Sequence, residues 1–117
     1  MAVSIVGSSA TNLAALTLNQ QSGTTYTFVL SDANNAMVEF NNASAIAVTV
    51  PLNSSVAFAV GTQIQLLQTG AGQVTLAGAV GVTVNGTPGL KLRAQWSGAT
   101  LVKRATDSWV VIGDMSA

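Results

Sequence analysis

Two glycines, Gly70 and Gly72 in the run GTQIQLLQTGAGQVTLAG (61–78), are the nearest approach to a ligand-binding motif in the chain. A dinucleotide-binding turn needs a third glycine three positions on, just before a helix. Thr75 stands at that position, and the residues around it alternate like a strand. A phosphate-cradling P-loop needs a lysine directly after its last glycine, and Gln73 stands there instead. Both phosphate readings fail. The glycines are then expected to supply positive dihedrals in a tight turn that joins TQIQLLQ to QVTLAG as a hairpin, bracketed by Gly61 and Gly78.

Other chemistry is sparse. With no cysteine and no histidine, the chain has no disulfide, no thiolate or imidazole metal ligand, and neither of the commonest activated nucleophiles. The acids are Asp32, Glu39, Asp107 and Asp114. Asp32 and Asp107 fall in expected turns, where an aspartate bonds nearby backbone, and no closely spaced acidic loop suits calcium. No catalytic residue, cofactor or metal is expected, and the chain reads as a non-enzyme.

All four cations, Lys91, Arg93, Lys103 and Arg104, lie in the last third of a chain with zero formal net charge. Nucleic-acid binding calls for a basic, clustered surface, so these cations are expected on solvated strand faces and nucleic acid is not an expected partner. Tyr26, Trp96 and Trp109 are the rings able to stack on a sugar. Alternation places Trp109 with Val111 in the core. Trp96, between Gln95 and Ser97 beside Gly98, is expected at an exposed rim or a contact between subunits.

The elements that must carry these residues read as strand after strand. TTYTFVLS alternates Tyr26, Phe28 and Leu30 against polar neighbours. Val38 and Phe40 follow, then Ile46, Val48 and Val50, which end at Pro51. Ile64 and Leu66 share a face, as do Val74 and Leu76, and then Val80, Val82 and Val84. Asn85-Gly86 is a tight-turn signal. LKLRAQW and a closing hairpin at Asp107-Ser108 finish the chain. The sum is about nine short strands in a compact antiparallel sandwich, barrel or roll, an all-β fold. VTVPLN and VTVNGT echo one another, which shared strand and turn needs explain better than a solenoid does. Residues 1–23 are read as an N-terminal arm before a single domain of 24–117. Within the arm, TNLAALTLNQQ is either a short helix capped by Thr11 or Asn12 or an extended segment with Leu16 and Leu18 on one side.

Only 7% of the 117 residues are charged while 49% are hydrophobic. A typical soluble domain carries about 25% charged residues. The surface is therefore covered by neutral polar side chains or removed from water by association, and a homo-oligomer is the simpler reading. The first lysine is Lys91 and no apolar run is long enough to span a bilayer, so a cytosolic site of synthesis with no membrane partner is expected.

The whole run TYTFVLSDANNAMVEFNNASAIAVTVPLNSSVAFAVGTQIQLLQTGAGQVTLAG, followed by GVTVNG, resembles a β-rich module of tailed-bacteriophage structural proteins, found in fibre, spike and head-associated components. The likeness covers roughly residues 21–114 as an ordered series: TVP, GTQI, GAGQVT, GVTV and a final Trp near Gly-Asp. It implies a virion component assembled in the host cytoplasm, often trimeric, that works by adhesion or assembly. With a chain running from Met1 to Ala117, a capsid decoration protein bound to the major capsid protein is expected. Leu13, Leu16, Leu18 and Trp96 are then candidate oligomer or capsid contacts. The alternative is a tail-fibre or tail-tip domain that recognises host surface glycans through Tyr26 and Trp96.

Overall fold

The computed structural model describes residues 15–117. These form eleven strands: β1 (Thr17–Gln21), β2 (Thr25–Thr27), β3 (Ala36–Phe40), β4 (Ile46–Val50), β5 (Gln63–Gln68), β6 (Val74–Gly78), β7 (Thr83–Asn85), β8 (Lys91–Leu92), β9 (Gly98–Ala105), β10 (Ser108–Gly113) and β11 (Met115–Ser116). A single 3-10 turn spans Leu30–Ala33. The all-β reading holds. Thr17–Gln21 is extended, so the helical alternative for that part of the arm falls; Leu13, with Thr11 and Asn12, lies outside the described residues.

The strands build two mixed sheets, one in the order β1-β3-β5-β9-β10-β7 and the other β11-β8-β6-β4-β2. Antiparallel pairing throughout was expected, and the structure corrects it. β1, β3 and β5 form one parallel ladder and β2, β4 and β6 form a second. The chain therefore alternates between sheets, and each strand stacks on the strand of the previous coil. Parallel neighbours need a long crossover, and here the opposite sheet supplies it. This is coil-on-coil stacking of the kind set aside at the sequence level. The final β9–β10 hairpin is antiparallel, as expected, and extends the first sheet through β5.

The core lies between the sheets. Val38, Phe40, Ile64, Leu66 and Leu101 point in from one sheet, and Ile46, Val48, Val50, Val74, Leu76 and Leu92 from the other; all are buried, as is Trp109. Period-two alternation within each strand makes these faces. It misleads where a strand has already ended. Leu30, expected beside Phe28, sits in the 3-10 turn and is exposed, and Val80 is 97% exposed in the turn between β6 and β7.

The glycine knot is a corner. β5 and β6 lie in different sheets, so 69–73 joins no hairpin, and neither Gly70 nor Gly72 has a positive φ. Three short corners, 22–24, 41–45 and 69–73, stack at one end of the coils. Asn42 donates through Nδ2 to Ser22 O (2.8 Å), and Gly72 N–H donates to Asn42 O (2.7 Å). A Cβ on Gly72 would stand 1.9 Å from Ser44 O, and one on Gly70 2.7 Å from Asn42 N. Glycine is required because two backbones touch. From inside, buried Gln68 accepts from Val74 N–H and donates to Gly70 O, satisfying the corner's polar groups.

Of the other expected turn residues, Gly61 has φ +92 in the turn before β5, while Gly78 ends β6. Asn85-Gly86 is not a hairpin turn either. Asn85 ends β7, which pairs in parallel with β10 rather than with β8.

Candidate functional site

Two surfaces and two buried polar clusters hold what chemistry the molecule has. The first surface is the outer face of the six-stranded sheet. Register aligns Leu18, Met37, Gln65, Thr100 and Ile112 in one row across five strands. It is flanked by a row of Gln20, Glu39, Leu67 and Gly98, and by one of Gln63, Val102, Val110 and Asn85. Leu18 is 52% exposed and Ile112 63%. Within these rows Glu39 is the one charged residue, and its Oε1 accepts from Gln20 Nε2 (3.1 Å).

The second surface is the end of the corner stack. After the glycine corner, residues 93–97 return the chain from β8 to β9. Trp96 N–H donates to Gln68 O (2.6 Å), and Gln95 Nε2 donates to Thr69 O (3.0 Å), fixing this turn on the corner below. The Arg93 guanidinium binds Asp114 through both oxygens (2.8 and 2.9 Å), and Ser97 Oγ donates to Asp114 (2.7 Å). The bond from Arg93, then that from Ser97, holds the Asp114 carboxyl below the usual carboxylate range. On this tied turn Trp96 is 66% exposed with φ +72, a backbone conformation unfavourable for a bulky residue. The exposed Trp96 expected from sequence is there. A polar groove of about 340 Å³ is lined by Gln20, Gln21, Ser22, Glu39, Asn41 and Thr69, the last being the residue that Gln95 bonds.

Tyr26 is no surface platform. Half-buried, it donates to Asp32 Oδ2 (2.6 Å) and packs edge-on against Phe28 and Phe40. Asn19 Nδ2 reaches both the Tyr26 hydroxyl and Asp32 Oδ1 (2.9 Å each), and the Val29 N–H donates to Asp32 Oδ2 (3.0 Å). Burial, then the bond to Asp32, pushes the Tyr26 hydroxyl well above the usual phenol range. This cluster plugs the first coil between β1 and β2.

Lys103 also departs from expectation. Rather than lying on a solvated strand face, it is 2% exposed. Nζ donates to Asn53 Oδ1 and Phe58 O (2.7 Å each), beside the Trp109 ring. Its parity with Leu101 and Ala99 in ATLVKRA is a signal that could have placed it inside. Asp107, expected to bond its own turn, accepts instead from the distant Asn53 N–H (2.8 Å).

The hydrogen bonds join none of the four carboxylates to another. Among the described residues no group of three potential ligands could hold a metal ion, and no helix is long and apolar enough to cross a membrane. The arrangement can bind by shape and neutral contact. No protein-family model, curated protein or solved structure matches the chain. What fold and site define is a class: an all-β chain of two mixed sheets that presents a nearly uncharged outer face.

Proposed function

We propose that this protein is a structural component of a bacteriophage virion, most simply a capsid decoration protein that works as a homotrimer through protein–protein contacts and carries out no catalysis. The observation that carries the reading is the outer face of the six-stranded sheet, where Leu18, Met37, Leu67, Val102, Val110 and Ile112 lie with one carboxylate among them. Such a face is depleted in charge like the core of an interface. The virion context comes from the resemblance of the ordered strand and turn signatures to a module of phage structural proteins.

Size bounds the arrangement. Six strands about 4.8 Å apart and about five residues long give a face of roughly 500 Å² in projection. A stable interface takes about 800 Å² from each partner. The flanking Leu16, exposed before β1, and Trp96 at the end of the corner stack would complete the contact, Leu16 toward a second copy and Trp96 toward the capsid surface. Light scattering should give a trimer, and imaging of particles should place it on the head. A monomer at micromolar concentration that does not bind capsids would overturn the reading.

A second reading, recognition of a host glycan at a tail tip, draws on the exposed Trp96 and on the amide-lined groove whose Thr69 bonds Gln95 of the same turn. Aromatic stacking beside hydrogen-bonding amides suits a sugar. It predicts glycan-array binding that Trp96→Ala abolishes, and no array signal from the native chain would dismiss it.

A further inference from the structure

We infer that Lys103 and Asn53 are a reactive pair that closes an intramolecular amide cross-link between the 51–62 connection and β9. The Lys103 ammonium lies in the core with 2% exposure, and its two hydrogen-bond acceptors, Asn53 Oδ1 and Phe58 O, are both neutral. Among the described residues the one ion pair is Arg93–Asp114. Placing a cation among neutral partners is costly, and a methionine would fill the space without that cost. An amine at this position is best explained by what an amine can do.

The electrophile is already in place. Nζ stands 2.7 Å from the Asn53 side-chain oxygen. With a carbonyl bond of about 1.23 Å, that puts Nζ roughly 3.5 Å from Cγ, a distance from which the amine reaches the carbon once it has lost a proton and turned its lone pair from the oxygen to the carbon. The Trp109 ring, with its centroid 5.8 Å from Nζ, and Phe58, packed edge-on against it at 5.5 Å, wall the pair on the core side. Asp107 holds the Asn53 main chain by accepting its N–H (2.8 Å). Asp107 lies in the turn of the same hairpin that carries Lys103, so one hairpin presents the amine and fixes its target. Asp107 is thus a positioning residue.

In the reaction the ammonium first releases one proton, the freed lone pair forms the Nζ–Cγ bond, and the Cγ–Nδ2 bond breaks. The two protons shed by Nζ leave on the departing nitrogen, as ammonium. Atoms and charge balance with no oxidant, cofactor or metal. The product ties the long connection between the two sheets to β9, which is what a disulfide does by shortening the unfolded chain. This chain has no cysteine with which to do so.

The test is mass spectrometry of the purified full-length chain after prolonged incubation at neutral pH. The native chain should be about 17 Da lighter than its sequence mass through loss of ammonia, and digestion should yield a branched peptide joining positions 53 and 103. Lys103→Arg and Asn53→Ala should each keep their full mass while remaining folded by circular dichroism. Asp107→Asn, which retains an acceptor oxygen, should keep the cross-link, whereas Asp107→Ala should lower its yield. A native chain of unshifted mass whose peptides carry free Lys103 and Asn53 overturns the proposal, and equal yields from the two Asp107 variants overturn the positioning role.

Discussion

At the scale of single residues, the polar cluster in the first coil is the least expected feature and the most open to measurement. Asp32 accepts three hydrogen bonds in near-complete burial. Asp32→Ala would leave the Tyr26 hydroxyl, the Asn19 amide and the Val29 N–H without that acceptor. The expected loss is about 2–3 kcal/mol, read from denaturant midpoints. Tyr26 is the one tyrosine in the chain, so its ionisation can be followed spectrophotometrically without interference. Burial and then Asp32 raise its folded pKa above the unfolded value. The stability this represents is complete below the ordinary phenol pKa of about 10 and is lost as pH climbs above it. Alkaline titration should show tyrosinate absorbance rising only together with unfolding; ionisation at the ordinary pKa in a folded chain would contradict the cluster. Asp114 runs the other way. With its folded pKa depressed by Arg93, its contribution is present above the ordinary carboxylate range and fades as pH falls. Because the pair is exposed, Asp114→Asn should remove only a small acid-side slope from melting temperature plotted against pH.

At the scale of elements, the strands were legible and their partners were not. Alternation in 36–40, 46–50 and 63–68 marks each strand and its buried face. Pairing is set by coil length, and the coils differ: Thr17 stacks on Ala36, nineteen positions later, but Met37 stacks on Gln65, twenty-eight later. The connections from the second sheet back to the first, 28–35 and 51–62, supply only part of the difference; the corner 41–45 and β4 are also longer than 22–24 and β2. Unequal coils leave no fixed period for a repeat search to find. The signal that does survive is glycine at the corner, since Gly70 and Gly72 read as turn residues but are required by the contact of stacked backbones. Gly72→Ala should therefore destabilise by about 3 kcal/mol or more, because the obstacle is the Ser44 carbonyl rather than a mobile side chain. A near-neutral Gly72→Ala would mean that the corners do not stack. Trp96 offers the opposite test on the next turn of the same column. Holding a tryptophan at φ +72 costs about 1 kcal/mol or more, and its ring is largely in solvent. Trp96→Gly should raise the stability of the isolated chain while weakening the proposed attachment to capsids. Such a split between stability and binding is the signature of a residue kept for contact.

At the scale of the whole molecule, the shortage of charge finds its explanation in where the few charged groups go. Asp32 and Lys103 are buried, Arg93 and Asp114 neutralise one another, and Asp107 holds Asn53. Glu39, Lys91 and Arg104 are left to solvate a body measuring 50 × 30 × 22 Å. A chain so disposed gains by covering its neutral face. The row that crosses five strands of the six-stranded sheet ends at Leu18 and Ile112, on opposite sides of the face, so a charge at either end tests the same contact independently. Leu18→Lys and Ile112→Lys point into solvent in the isolated chain and should shift its own stability by no more than about 0.5 kcal/mol. In the proposed trimer each places a desolvated ammonium against an apolar surface three times over, a cost of several kcal/mol per ion. Light scattering should then show trimer for the native chain and monomer for either variant, with melting of the monomer unchanged. Trimers that persist in both variants would move the interface off this face, to the outermost strands β1 and β2 or to the threonine-rich outer face of the second sheet, where Thr25, Thr27, Thr49 and Thr75 lie.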